Sequence, residues 1–180
     1  MRREWIAILI LIALGLGVLI WQSPDDVGPA RTGDPSKVTL IPADSATLKK
    51  EVQAHKGKVV LVEFWATWCE NCRRDFPKFV DIHEKYSERG VVCISVAREK
   101  RPEDDREYAL SFLKARHATM TNFLFDDEEG PRELRSFFGY PGMIPYQALF
   151  GKNGNRIVPE DGEHFSTLEL LSRIESELAK

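Results

Sequence analysis

The apolar positions of this chain fall into runs of two lengths, and each length predicts a different element. Residues 5–21 read WIAILILIALGLGVLIW, an uncharged apolar run with a tryptophan at each end. Val59–Trp65 (VVLVEFW) and residues 91–96 (VVCISV) are short and nearly continuous, as strands buried on both faces read. Residues 38–41, 122–125 and Tyr146–Phe150 predict three further strands. A last one, at 155–158, is joined to 146–150 through Gly151-Lys152-Asn153-Gly154, whose Asn-Gly is a strong hairpin turn. Helices are expected from Asp44 or Ser45 to about His55, from Glu70 to about Ser87, and up to about Arg116. A short one lies in 130–138. A terminal helix is capped by Ser166, with Leu168, Leu171, Ile174 and Leu178 on one face. Gly57 and Gly90 end the first two. The charged stretch REKRPEDDR at 98–106 reads as a solvated loop. Strands alternating with helices predict an α/β fold, a mixed central sheet with helices on both faces.

The run at 5–21 spans about 25 Å as a helix, close to the ~30 Å hydrocarbon core of a bilayer. It ends Leu19-Ile20-Trp21-Gln22, which offers no small-x-small cleavage site, and tryptophans favour membrane interfaces. An N-terminal single-pass transmembrane helix is therefore expected, in preference to a cleaved signal or a buried helix. Arg2 and Arg3 orient it. Residues 1–4 form a cytoplasmic tip, 5–21 the anchor, 22–36 a flexible Pro-, Gly- and Asp-rich linker, and 37–180 one extracytoplasmic domain.

Composition narrows the function classes. The formal charge of −3 over 180 residues provides no basic field for phosphate backbones, so no nucleic-acid partner is expected. Three cysteines and four scattered histidines carry no metal-ligand spacing, and neither a metal nor a cofactor is expected.

Cys69-Glu70-Asn71-Cys72 follows a buried strand and opens a helix. Unpaired N–H groups and the positive end of the dipole stabilise a thiolate there. Cys69, first in the motif, gains most and is the expected nucleophile; Cys72, one turn on, is close enough to close a disulfide. The other readings of a C-x-x-C are weaker. A zinc site lacks a second ligand pair, and haem attachment fails because Arg73 follows Cys72. A purely structural bridge over so short a loop gains little chain entropy. Pro77 falls inside the helix and is expected to kink it and to remove one of its hydrogen bonds. Cys93, within a strand, reads as a small inert hydrophobe.

The segment FWATWCENCRRDFP at 64–77 resembles the active-site stretch of thioredoxin-like proteins, above all the membrane-anchored TlpA/ResA group. The resemblance covers about residues 45–180 and implies a thioredoxin-like fold, with a helix-bearing insertion after the second buried strand at about residues 103–116. It implies a redox-active Cys69–Cys72 disulfide in which Cys69 attacks and Cys72 resolves. Ile144-Pro145 would be the cis-proline strand that faces this disulfide and binds substrate, preferred over the rival Pro141. Glu63 takes the place of thioredoxin's buried acid as a proton relay, since a carboxyl in an apolar strand resists ionisation. Asp75 matches an acidic position of the anchored group and is the fourth catalytic candidate. Trp68 is expected on the substrate surface and Trp65 in the core. Asn71 stands where the family usually has proline. Glu70 disfavours the thiolate, whereas Arg73 and Arg74 favour it.

The resemblance implies a thiol–disulfide oxidoreductase of the inner membrane, its domain periplasmic. It would reduce disulfides of client proteins such as apocytochromes in cytochrome c maturation, with electrons from a membrane-embedded thiol donor. A thioredoxin-fold binding or metallochaperone module without exchange activity is the alternative, and a peroxidase acting through Cys69 is a third.

Overall fold

A computed structural model describes residues 31–126, 131–160 and 164–180. The expected tip, anchor and most of the linker lie outside these residues. Among the described residues no helix is long and apolar enough to cross a membrane. Residues 31–33, expected within the tether, bond to the domain, whereas Asp34, Pro35 and Ser36 are exposed. Arg31 pairs with Asp81 at 2.7 Å and donates to Pro77 O at 3.1 Å, and the Asp34 carboxylate accepts the Ser36 N–H.

Six strands form one mixed sheet: β1 (Ile41–Ala43), β2 (Val59–Trp65), β3 (Val91–Ala97), β4 (Thr121–Phe125), β5 (Tyr146–Phe150) and β6 (Arg156–Ile157), in the spatial order β1-β4-β3-β2-β5-β6. The first four run parallel, whereas β5 is antiparallel to β2 and β6 to β5. Helices α1 (Ser45–Ala54), α2 (Glu70–Tyr86), α3 (Pro102–Ala115) and α4 (Thr167–Leu178) complete the fold. A short helix, Pro131–Glu133, continues as a π turn, Leu134–Phe138.

Every residue of β2 is buried. Side chains alternate across a strand, so its odd and even positions serve two separate cores. Val59, Leu61 and Trp65 join Phe76, Phe79, Phe112 and Ile174 beneath α2, α3 and α4. Val60, Val62 and Phe64 meet Leu48, Val52, Phe138 and Phe150 on the other face. The same alternation sends Glu63 to the α2 side.

The long strands, α2 and the hairpin follow the sequence pattern, but four details differ. The first strand is Ile41–Ala43 rather than 38–41, since Val38 and Leu40 are buried as irregular chain. In the terminal helix Leu170 and Ile174 face the core, while Leu168 is 81% exposed. The second hairpin strand keeps only Arg156–Ile157. The fourth difference is that the charged stretch at 98–106 is neither a loop throughout nor all solvated. Pro102 sits at the first position of α3, and Glu103, Asp104 and Asp105 fill its first turn, where proline and acids suit the free N–H groups and the dipole. Arg98 stacks on the rings of Phe125 and Tyr140, 4.6 and 5.1 Å from their centroids, and Glu99 is buried.

Candidate active site

β2 ends at Trp65, and a turn closed by the Cys69 N–H on Ala66 O at 3.2 Å delivers the chain to α2. Cys69 is the N-cap of that helix. Its sulfur takes the place a serine or aspartate oxygen usually fills, accepting the Cys72 N–H at 3.2 Å. The two cysteines are joined in a disulfide, with Cα atoms 5.2 Å apart. Both cysteines are buried, but Cys69 keeps 9% of its surface and Cys72 none, so of the two only Cys69 presents any surface to a partner. α2 then runs unbroken past Pro77 to Tyr86.

The loop before β5 faces this disulfide. The Ile144–Pro145 peptide bond is cis, and Ile144 O lies 3.9 Å from Cys69 Sγ. Beside it opens a cleft of about 400 Å³, lined by Glu63, Asp75, Lys78, Ile144, Pro145 and Gln147 among others. Four of the residues singled out from the sequence thus share one wall system. Cys69 meets its edge through Ile144, and Cys72 and Trp68 do not line it. Trp68 is 49% exposed, with Lys100 Nζ 4.7 Å from its ring centroid. Trp65 is fully buried and packs on Phe76 and Phe112.

The two carboxyls of the cleft behave oppositely. Glu63 pairs in register with Ser95 on one side and Gln147 on the other. Burial pushes its carboxyl up to about 8; the nearby charge of Asp75 adds to the rise, and a hydrogen bond with Gln147 opposes it. Its Oε2 is buried without a hydrogen-bond partner among the described residues. Asp75 is half-exposed and held below the usual carboxylate range, chiefly by its hydrogen bond from Lys78 at 2.9 Å. Near neutrality the cleft therefore holds one protonated acid and one carboxylate. Cys93, opposite Leu61 in the sheet, is a buried free thiol pushed well up by burial and by Glu63.

The sequence pattern missed Gln147, Lys78 and, above all, Glu99. Glu99 accepts the Thr67 N–H and the Thr67 hydroxyl, each at 2.8 Å. Its position within a run of charges carried no local signal of burial. No cluster of residues able to hold a metal occurs among the described residues.

A buried strand, a C-x-x-C disulfide at a helix N-terminus and a facing cis-proline loop define a thioredoxin-type site. The family profile of thioredoxin-like proteins matches residues 57–156, and the chain belongs to that family. It is 30% identical over 95 residues to the thiol-disulfide oxidoreductase ResA of Oceanobacillus iheyensis, covering 50% of this chain and 48% of the relative. Against the thioredoxin-like protein YneN of Bacillus subtilis it is 30% identical over 114 residues, 61% of this chain and 66% of the other. The chain thus spans about half to two-thirds of the length of these curated relatives. A crystal structure of a thioredoxin-family thiol:disulfide interchange protein from Chlorobium tepidum shares the fold with a TM-score of 0.51. It is 23% identical, and the match covers 70% of this chain and 83% of that one.

Proposed function

We propose that this protein is a membrane-anchored, extracytoplasmic thiol–disulfide oxidoreductase that reduces disulfides in client proteins. The observation that carries this reading is the position of the pair, with Cys69, which keeps a little surface, at the N-terminus of α2 and the fully buried Cys72 bonded to it. In the reduced protein the Cys69 thiolate attacks one sulfur of a client disulfide. One S–S bond forms as another breaks, and the departing client thiolate takes up a proton. Cys72, having given up its proton, then attacks Cys69 Sγ. The mixed disulfide breaks, Cys69–Cys72 closes, and the client leaves as a dithiol with two electrons gained. A thiol donor must return those electrons, and a membrane-embedded dithiol is the partner class that suits an anchored domain.

Glu63, Asp75, Trp68, Ile144 and Pro145 divide the remaining work in this reading. Glu63, whose carboxyl titrates near 8, is suited to exchange the Cys72 proton. Asp75 is the charged partner across the cleft that tunes it. Ile144 and Pro145 present backbone to an extended client segment beside Cys69, and the exposed ring of Trp68 supplies apolar surface next to the motif. Apocytochromes awaiting haem are the proposed clients. The inner-membrane placement is supported by the apolar 5–21 segment with Arg2 and Arg3 before it, and by the similarity to ResA.

Replacing Cys72 with serine removes the resolving thiol. The variant should accumulate covalent partners released by reductant and lost when Cys69 is also changed to alanine. A Cys72→Ser protein that captures no client through Cys69 rejects the exchange reading.

A further inference from the structure

The cysteine-bearing turn is held from outside by three consecutive residues that follow β3. The Arg98 N–H donates to Trp65 O at 2.7 Å, the Glu99 carboxylate takes both Thr67 donors at 2.8 Å, and Lys100 lies over the Trp68 ring. Thr67 and Trp68 are the two central residues of the turn whose ends are Ala66 and Cys69. Thr67 and Glu99 are 6% and 8% exposed, so water is a poor substitute for either partner. A buried backbone N–H stripped of its acceptor is costly, enough for a short turn to rearrange rather than keep it.

That turn decides where Cys69 stands. Its sulfur gains from the helix only while it sits over the first turn of α2, accepting the Cys72 N–H at 3.2 Å. Stabilisation of charge by a helix end fades within that turn, so a small displacement of the cap weakens it. We propose that Glu99 is a positioning residue for the Cys69 thiol: by accepting both hydrogen bonds of Thr67 it fixes the turn that holds Cys69 Sγ at the N-terminus of α2. The proposal rests on the exchange chemistry above for its consequence in turnover. The geometry it asserts is readable without any client.

Glu99 has a second way to act on the thiol, through its charge, and the two make opposite predictions. Burial raises its carboxyl and the Thr67 bonds oppose that rise. A negative charge beside Cys69 would disfavour the thiolate, so neutralising it would lower the Cys69 midpoint. Positioning predicts otherwise. Glu99→Gln keeps an acceptor for the Thr67 N–H and offers an amide N–H to the Thr67 hydroxyl, whereas Glu99→Ala keeps neither.

The test uses the full-length protein, fully reduced, with iodoacetamide as the probe. The rate of Cys69 modification is followed by peptide mass from pH 5 to 9. Glu99→Ala should raise the Cys69 midpoint by about one pH unit, slowing modification about tenfold below it. Glu99→Gln should lie within about twofold of the unsubstituted protein. Thr67→Val, which removes only the hydroxyl bond, should fall between them, and it keeps the test decisive if the alanine variant fails to fold. The glutathione redox equilibrium of the same proteins should shift in the same order. A Cys69 midpoint unchanged in both Glu99→Ala and Thr67→Val overturns the proposal. So does a Thr67→Val midpoint unchanged when the alanine variant does not fold. So, too, does a Glu99→Gln protein that behaves like alanine or titrates below the unsubstituted one. Since iodoacetamide needs no client, failure here is distinguishable from failure of Cys72→Ser to trap a partner.

Discussion

The sulfur of Cys69 and the carbonyl oxygen of Ile144 lie 3.9 Å apart, although 75 residues separate them along the chain. The contact joins two elements that do different work. α2 sets the electrostatics of the thiol, and the loop before β5 supplies backbone next to it. Under the proposed function, an extended client segment approaching Cys69 would meet a hydrogen-bond acceptor at the point of reaction. Trp68, the residue before Cys69, is half-exposed beside the motif.

The two tryptophans around the motif should separate cleanly. Trp65 is fully buried, stacked on Phe112 with ring centroids 4.8 Å apart, and its indole donates to Ser95 Oγ. Trp65→Ala should lower stability by about 3–5 kcal/mol in urea unfolding. Trp68→Ala removes a half-exposed ring and its Lys100 contact, and should change stability by less than about 1 kcal/mol. Its insulin-reduction rate should nevertheless drop severalfold. Equal losses of stability in the two variants would contradict this division.

Glu63 makes stability depend on pH in a definite direction. Its carboxyl ionises near 4.5 in the unfolded chain and near 8 in the folded one. Between those values the folded state holds a proton that the unfolded state has lost, so stability falls as pH rises. The slope approaches about 1.4 kcal/mol per pH unit and levels off above the folded value. Glu63→Gln should lose this component, matching the parent near pH 5 and exceeding it at pH 9. Urea midpoints at pH 5, 7 and 9 provide the measurement, and parallel curves for the two proteins would refute it.

Cys93 should be silent in the native protein. Burial and the neighbouring Glu63 carboxyl raise its thiol far above neutrality, and it is 2% exposed. Iodoacetamide at pH 8 should leave Cys93 unmodified in the reduced, folded chain and label it in guanidinium. Labelling of Cys93 before unfolding would place that thiol nearer solvent than β3 allows.

Much of this architecture is written in local pattern. A run such as Val59–Trp65 allows only a strand buried on both faces, and its boundaries match because nothing nearby competes. C-x-x-C after such a strand likewise places Cys69 at a helix cap, and the apolar stretch after Pro145 points to the adjoining strand. What local pattern does not hold is the partner of a polar group. Glu99 lies among charges that predict solvent, and only the fold brings it to Thr67, 32 residues away. Leu168 shows the reverse failure. Its place in a heptad-like row suggested burial, yet the contacts of α4 centre on Leu170 and Ile174, and a rotation of the helix by part of a turn leaves it exposed. Charge alone misled at the start of α3, because acids after Pro102 mark a helix start as readily as a loop, whereas the family resemblance implies a helix-bearing insertion at about 103–116.

Asp75 and Glu63 form a coupled pair across the cleft, and the coupling has a measurable sign. The Asp75 carboxylate stays ionised because Lys78 bonds it at 2.9 Å, and its negative charge makes loss of the Glu63 proton harder. Asp75→Asn removes that charge and keeps the side-chain shape. Glu63 should then titrate below its value of about 8, although burial, the larger cause, keeps it well above 4.5. Lys78→Met should act in reverse: with its main partner gone Asp75 titrates higher, and where it remains ionised it repels the Glu63 charge with less compensation. Carbon-13 chemical shifts of the Glu63 carboxyl, followed from pH 5 to 10 in protein labelled at glutamate, report each midpoint directly. A Glu63 midpoint identical in the parent and in Asp75→Asn would mean that water in the cleft screens the pair completely. Asp75 would then have no electrostatic route to the proton that Cys72 must surrender.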